Sequence, residues 1–306
     1  MPDLRVGERR ISVPTGSNLL DALNGVGLNV PYSCRAGSCH ACLVRCVDGE
    51  PEDALPEALQ ADKREQGWRL ACQCRVTADL QVMVFDPQRD GVPARVCALD
   101  WVGDVLRLRL KPARALRYQA GQHVVLWLGT VARPYSLASL PGEDDFLEFH
   151  IDCQRPGAFC DLARGLKIGD SLSLGEFRGG ALHYDPDWQD RPLWLLAAGT
   201  GLAPLWGVAR EALRQGHRAG IKVMHVAHDD AGHYLQPALQ RTHGIDTEYV
   251  LQEHLEEALA RLRPTSRQTI ALLCGSPVSV ERFARRLFIA GVPRNQVLAD
   301  VFVEHA

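Results

Sequence analysis

Six of the ten cysteines in this 306-residue sequence, Cys34, Cys39, Cys42, Cys46, Cys72 and Cys74, fall within 41 residues. Three of them sit in Cys34-Arg35-Ala36-Gly37-Ser38-Cys39-His40-Ala41-Cys42, a C-x4-C-x2-C run, and Cys72 lies 30 residues further on. That spacing is the one used by plant-type [2Fe–2S] centres. Thiolates are soft ligands for iron, and three on one tight loop with a fourth from a distant segment can enclose two irons. Gly37 and the small Ala36, Ser38 and Ala41 let the backbone wrap closely and aim N–H groups at the sulfurs. A structural zinc site would pair C-x2-C with a second short pair, and none fits here. Two residues past Cys72, Cys74 would face the same way on a strand, so it stays open as the fourth ligand. Cys46 reads as a small buried hydrophobe.

A second run with chemical meaning is Ala198-Gly199-Thr200-Gly201-Leu202-Ala203-Pro204. It follows an apolar stretch and opens a helix, with Pro204 suited to the first turn. Glycines in that setting let a backbone approach a pyrophosphate at a helix start. Cys274-Gly275-Ser276-Pro277 closes another apolar run.

These residues need elements to hold them. In residues 1–86 the segments 10–13, 44–47 and 80–84 read as strands and 18–24 as a helix, and Asp86–Gly91 has linker composition. From 92 to about 187 the pattern is all-β, with strands at 105–110, 124–128 and 146–151 and one helix at 160–166, as in a small barrel. After Pro192 strands at 193–198, 221–227, 246–251 and 269–274 alternate with helices at 205–215, 253–262 and 278–290. Such near-continuous apolar strands between helices predict a doubly wound parallel sheet. At ~150 residues per domain the length allows two or three domains. The expected fold class is multidomain α+β and α/β, over residues 1–88, 89–188 and 189–306.

Composition excludes other classes. It is 46% hydrophobic and 23% charged with a net charge of −3, which rules out a disordered chain and leaves no field for nucleic acid. Residues 1–90 hold 10 Lys and Arg against 13 Asp and Glu, and the remainder balance at 24 each. The charged start, Met1–Arg10, is no secretory signal, so the cytoplasm is expected. There, clustered cysteines serve metals or redox chemistry rather than disulfides. The uncharged stretch 192–209 has the length of a membrane span, but Gly199, Gly201 and Pro204 break it, so no membrane association is expected.

Resemblance adds roles. Leu70-Ala71-Cys72-Gln73 looks like the stretch around the fourth ligand of plant-type ferredoxins, which favours Cys72 and makes residues 1–86 similar to a β-grasp ferredoxin domain. Arg133-Pro134-Tyr135-Ser136, with Ala120-Gly121-Gln122-His123 before it and Phe149-His150-Ile151 after it, resembles the flavin barrel of the ferredoxin–NADP reductase superfamily. The resemblance implies that Arg133 pairs with the FAD pyrophosphate through a bidentate fork. It places Tyr135 against the flavin, Ser136 near the reactive ring nitrogen, and Pro134 and His150 among the cofactor-binding residues. Where that family has G-x-x-S/T for its second phosphate contact, this chain has Gly157-Ala158-Phe159-Cys160. Lys167-Ile168-Gly169-Asp170 matches the family's next turn, but Gly175-Glu176 replaces Gly-Pro, so FMN or weakened FAD affinity stays open.

In the same superfamily the segment matching Gly199-Thr200-Gly201 binds nicotinamide dinucleotide. Cys274-Gly275-Ser276-Pro277 resembles its C-G-x-P element, which would put Cys274 near the hydride path. Phe302 is the candidate aromatic over the flavin, so Ser136, Cys274 and Phe302 are the catalytic candidates. Asp229 and Asp230, after the second strand, would repel a 2′-phosphate and favour NADH over NADPH. The order of domains resembles the reductase components of bacterial multicomponent oxygenases, such as those of phenol hydroxylase and methane monooxygenase. That implies a monomer passing a hydride from NADH to FAD, then single electrons to [2Fe–2S] and an acceptor protein such as an oxygenase component. Alternatives are a reductase for a dehydration or demethylation partner, and a redox sensor without NADH turnover. No general acid, base or nucleophile is required, so His228, His243 and the other histidines outside the flavin motif are given no functional role, since histidines more often sit on surfaces.

Overall fold

The computed structural model describes residues 1–264 and 266–302. By compactness the chain divides into two units, Met1–Pro93 with Val124–Pro134 and Leu172–Arg178, and Ala94–His123 with Tyr135–Ser171 and Gly179–Ala306.

In the first unit a mixed sheet carries the order Arg9–Ser12, Asp3–Val6, Leu80–Val84, Leu43–Asp48, Trp68–Leu70. Asp3–Val6 runs antiparallel to Arg9–Ser12 and parallel to Leu80–Val84, the mixture expected of a β-grasp sheet. Alternation decides its faces, since Leu4 and Val6 are buried and Arg5 between them is exposed. The helix Leu19–Gly25 buries Leu19, Leu20 and Leu23, and the Asn18 side chain caps it by accepting from the Asp21 N–H. The same Asn18 donates from Nδ2 to the Cys72 carbonyl at 2.9 Å, which ties the helix start to the distal cysteine. Strand His123–Leu128 lies between Val131–Ser136 and Ser171–Arg178. The expected linker is a closed turn, with the Asp90 N–H on the Asp86 carbonyl at 2.7 Å.

In the second unit Val105–Pro112 pairs antiparallel with both Val92–Val102 and Leu147–Asp152. The parallel sheet has the order Ile245–Leu251, Ile221–Ala227, Leu193–Ala198, Ile270–Gly275, Val297–Val301. Leu193, Leu195 and Ala197 face a core with helix Leu202–Arg214, while Trp194 and Leu196 face another with Phe283 and Leu287 of helix Pro277–Ile289. A strand apolar on both faces between two helical layers is what a doubly wound sheet requires. The order reverses between Leu193–Ala198 and Ile270–Gly275, and ligands bind such sheets at the carboxyl ends of strands beside that reversal.

Among the described residues no helix is long and apolar enough to cross a membrane. The strand Ser171–Arg178 has no counterpart in the periodicity because Gly175-Glu176 interrupts its apolar alternation.

Candidate functional site

The loop from Cys34 to Cys42 is coiled by left-handed residues: Arg35 and His40 have φ of 50° and 56°, and Gly37 has 79°. A Cβ on Gly37 would also press on Leu55 Cδ2 at 2.7 Å, so that side chain would have to move. This coil turns the N–H groups of Ala36, Ser38 and Cys39 onto Cys34 Sγ, each at 3.3 Å, and the Cys34 N–H onto Cys39 Sγ at 3.4 Å. The thiols associate two by two, Cys34 with Cys39 and Cys42 with Cys72. A two-iron cluster needs two ligands on each metal, and this pairing supplies them. The Cys39 thiol, followed by the Ser38 side chain and backbone N–H groups, holds Cys34 down to about 4. Hydrogen bonds from the Cys42 thiol and Gln73 hold Cys72 down to about 7.

Cys74 does not share the direction of Cys72. Residues Ala71–Gln73 form a 3-10 turn rather than a strand, so the two-residue period does not apply, and Cys74 is fully buried in the apolar core. Burial, then the nearby charge of Asp53, push its thiol up. Cys46 packs against the same core, and burial raises it to about 11.

Within the same unit Cys39 and Ala41 are buried with Val125, Trp127 and Ala132, and Cys34 and Phe85 pack against them. The rings of Phe85 and Trp127 stack with centroids 5.4 Å apart. Glu176, which departs from the family's Gly-Pro, is ion-paired with Lys63 at 2.6 Å and faces His40 at 4.0 Å. A proline there would leave Lys63 without this carboxylate.

Strand Val131–Ser136 carries the Arg133-Pro134-Tyr135-Ser136 motif. The half-buried Arg133 donates from Nη1 to the Ala132 carbonyl at 2.8 Å, and Ser136 is buried. Tyr135 meets Phe159 with ring centroids 5.0 Å apart, which brings the motif and the Gly157–Cys160 turn together. A Cβ on Gly157 would meet nothing within 4 Å, so the turn presents open backbone. Cys160, in helix Ala158–Ala163, donates to the Asp152 carbonyl at 3.4 Å, and a hydrogen bond from Cys153 lowers it to about 7. His150 is buried with both ring nitrogens engaged, Nδ1 with the Tyr234 hydroxyl and Nε2 with Glu148, each at 3.0 Å.

The two glycine elements of the parallel sheet meet where its strand order reverses. A Cβ on Gly201 would lie 2.4 Å from the Cys274 carbonyl oxygen, and one on Gly275 2.8 Å from Ala198 Cβ. Gly275 also has φ of 143°, whereas Gly199, at 55°, faces open space. Ser276 caps helix Pro277–Ile289 by accepting the Ser279 N–H, with Pro277 in the first turn. Thr200 is half-buried at the mouth of helix Leu202–Arg214, and the Phe302 N–H donates to the Gly275 carbonyl at 2.8 Å. Cys274 is fully buried, and desolvation, then the charge of Asp300, push its thiol far up. Its thiol is therefore held neutral in the core.

Two residues of this region were missed. Asp300 sits opposite Cys274 in the parallel register, and His225 Nε2 lies 3.0 Å from the Gly199 carbonyl. His225 could have been found, because Val223-Met224-His225-Val226 is an apolar run with one polar member. The reading of all such histidines as surface residues is corrected: His225 and His233 are both buried.

Residues 4–77 match the 2Fe-2S iron-sulfur cluster binding domain, and residues 101–183 match the oxidoreductase FAD-binding domain. The reductase subunit of an aromatic O-demethylase from Amycolatopsis is 32% identical, covering 90% of this chain and 91% of its own length. The chain belongs to the iron–sulfur flavoprotein reductase family. Reductase component 1 of terephthalate 1,2-dioxygenase from Comamonas is 30% identical over 74% of this chain and 70% of its own. A crystal structure of the Amycolatopsis cytochrome P450 reductase superposes with a TM-score of 0.64 at 27% identity, covering 99% of both chains. The reductase is thus an NAD(P)H-dependent oxidoreductase carrying FAD and a [2Fe–2S] cluster.

Proposed function

We propose that this reductase oxidises NADH and passes single electrons, through FAD and then its [2Fe–2S] cluster, to a separate oxygenase component. It works as a cytoplasmic monomer organised as 1–88, 89–188 and 189–306. The oxygenase partner is inferred from relatives that serve a demethylase and a dioxygenase. When bound, the flavin supplies the exchange between two-electron and one-electron chemistry, and the cluster carries one electron at a time.

The protein's residues bind, orient and exclude water. Cys34, Cys39, Cys42 and Cys72 hold the cluster, with Cys74 in the core. Arg133, Pro134, Tyr135 and Ser136, with the backbone of Gly157, Ala158, Phe159 and Cys160, hold FAD. Gly199, Thr200 and Gly201 receive the dinucleotide beside Cys274, Gly275, Ser276 and Pro277, and Phe302 follows that element. His150 acts from behind the site through Glu148 and Tyr234. Asp229, which accepts the Gly232 N–H at 2.9 Å, supports NADH, because its carboxylate opposes a 2′-phosphate.

The observation that carries the nicotinamide end is the packing of Gly201 on the Cys274 carbonyl at the sheet's reversal, since the two family matches end at residue 183. Anaerobic addition of NADH should bleach flavin and iron–sulfur absorption together, and NADPH should do so far less readily. Protein showing iron–sulfur bands alone, or no bleaching, would overturn the reading.

A further inference from the structure

His225 lies in the middle of strand Ile221–Ala227, fully buried, with Nε2 3.0 Å from the Gly199 carbonyl oxygen. A carbonyl can only accept, so Nε2 carries the proton. Burial, then the neighbouring His233, keep the ring neutral, lowering its pKa to about 3. Nδ1 is therefore a bare acceptor, and His233 Nδ1, 3.4 Å away, faces it as the donor.

The other side of the ring is equally determined. His225 packs edge-on against Tyr234 with centroids 5.7 Å apart. The Tyr234 hydroxyl is 3.0 Å from His150 Nδ1, and His150 Nε2 is 3.0 Å from Glu148 Oε1. Against the burial that would raise it, the His150 hydrogen bond and then Arg107 and Arg109 hold the Glu148 carboxyl well below the ordinary range. The two arginines contact it at 2.7 and 2.8 Å. An ionised carboxylate only accepts, so His150 donates from Nε2 and receives the Tyr234 proton at Nδ1. The column thus has one proton arrangement from Glu148 to His150 and Tyr234, and Tyr234 fixes the ring plane of His225.

The end of the column is a peptide, not a side chain. In a trans peptide the C=O of one residue and the N–H of the next point in opposite directions. Holding the Gly199 carbonyl inward therefore turns the Thr200 N–H the opposite way, and a Cβ on Gly199 would meet nothing within 4 Å. The Leu202 N–H also reaches the Gly199 carbonyl and fills its second lone pair.

We infer that His225 is a positioning residue for nicotinamide dinucleotide, locking the Gly199–Thr200 peptide so that its N–H faces the diphosphate. This rests on the reading of Gly199-Thr200-Gly201 as the dinucleotide loop.

The test uses the holoprotein with His225→Leu, His225→Gln and Gly199→Ala. NAD+ affinity is measured by calorimetry, NADH KM and kcat with ferricyanide, and FAD and cluster content by absorption. His225→Leu should raise the NADH KM and the NAD+ Kd together by about fivefold to thirtyfold, the effect of one lost hydrogen bond, with kcat and both absorption spectra retained. Gln, whose amide nitrogen is as many bonds from Cβ as Nε2 is, should restore most of the affinity. A fall in kcat at constant KM, or equal losses for Leu and Gln, would overturn the inference.

If the leucine variant sheds flavin or cluster, Gln against Asn decides, because only the longer amide reaches the carbonyl. Gly199→Ala separates the premise from the inference. If it leaves the NAD+ Kd unchanged, the loop reading falls and takes the role of His225 with it. If it weakens NAD+ while His225→Leu does not, only the role of His225 falls.

Discussion

Acidifying the reductase should loosen the second unit through its buried histidines. His150, His225 and His233 are buried there, and burial lowers the pKa of each. A histidine whose folded pKa lies below its unfolded value of about 6.5 takes up its proton first in the unfolded chain. Its stability contribution is therefore complete above pH 6.5 and is lost as the pH falls toward the folded value, about 3 for His225. At about 1.4 kcal/mol per pH unit, His225 alone should remove about 3 kcal/mol by pH 4.5. His150 and His233 act in the same direction.

The assay is hydrogen exchange by mass spectrometry on peptides covering Leu193–Ala198 and Ile221–Ala227, at pH 7 and 4.5, corrected for intrinsic rates. His225→Leu has nothing to protonate at this position. It should be the less protected protein at pH 7, where the bond to Gly199 is missed, and the better protected at pH 4.5. Parallel pH dependences in the two proteins would refute the argument, because they would mean that His225 is already as free to protonate in the folded state as in the unfolded one.

Other outcomes follow from the same geometry. Cys72→Ser should lose iron, while Cys74→Ser should keep it and cost about 1–3 kcal/mol of stability for a hydroxyl placed in the apolar core; iron per chain and thermal melting separate the two. Gly201→Ala would put a methyl group 2.4–2.8 Å from the Cys274 and Gly275 backbone. Overpacking of this kind costs about 1–3 kcal/mol, seen as a lower Tm with a raised NADH KM. Cys160, held down to about 7 by Cys153, places a thiolate in the Gly157–Cys160 turn as the pH rises. FAD should therefore bind the wild type more weakly at pH 8 than at pH 6, and Cys160→Ser should remove that difference in a direct FAD titration.

What was legible in the sequence is what local spacing and period encode. The cluster loop announces itself because its cysteines are neighbours, and the strands at 193–198 and 221–227 because burial on both faces demands unbroken apolar runs. The rest depends on partners far along the chain. Whether Cys72 or Cys74 faces the cluster turns on a 3-10 turn that no two-residue period describes. Glu176 reads as a lapse from the flavin pattern until Lys63 is found beside it. Histidine carries no pattern that separates a surface ring from a buried one, and only the apolar neighbours of His225 marked it. Its partners, Gly199, His233 and Tyr234, come from two loops beyond the strand.

The strand Val131–Ser136 carries the proposed flavin motif in a fixed register. Ala132 lies in the buried cluster with Cys39 and Ala41, so this end of the strand is against the cysteine loop. Arg133, Pro134, Tyr135 and Ser136 follow without a break and are the residues proposed to hold the flavin. Successive strand residues advance about 3.3 Å, so Ala132 and Ser136 are at most about 13 Å apart along the backbone. Alternation matters as much as length. One residue inserted directly after Ala132 would turn every later side chain to the opposite face, so Arg133, Tyr135 and Ser136 could not keep their directions while Ala132 stayed in place.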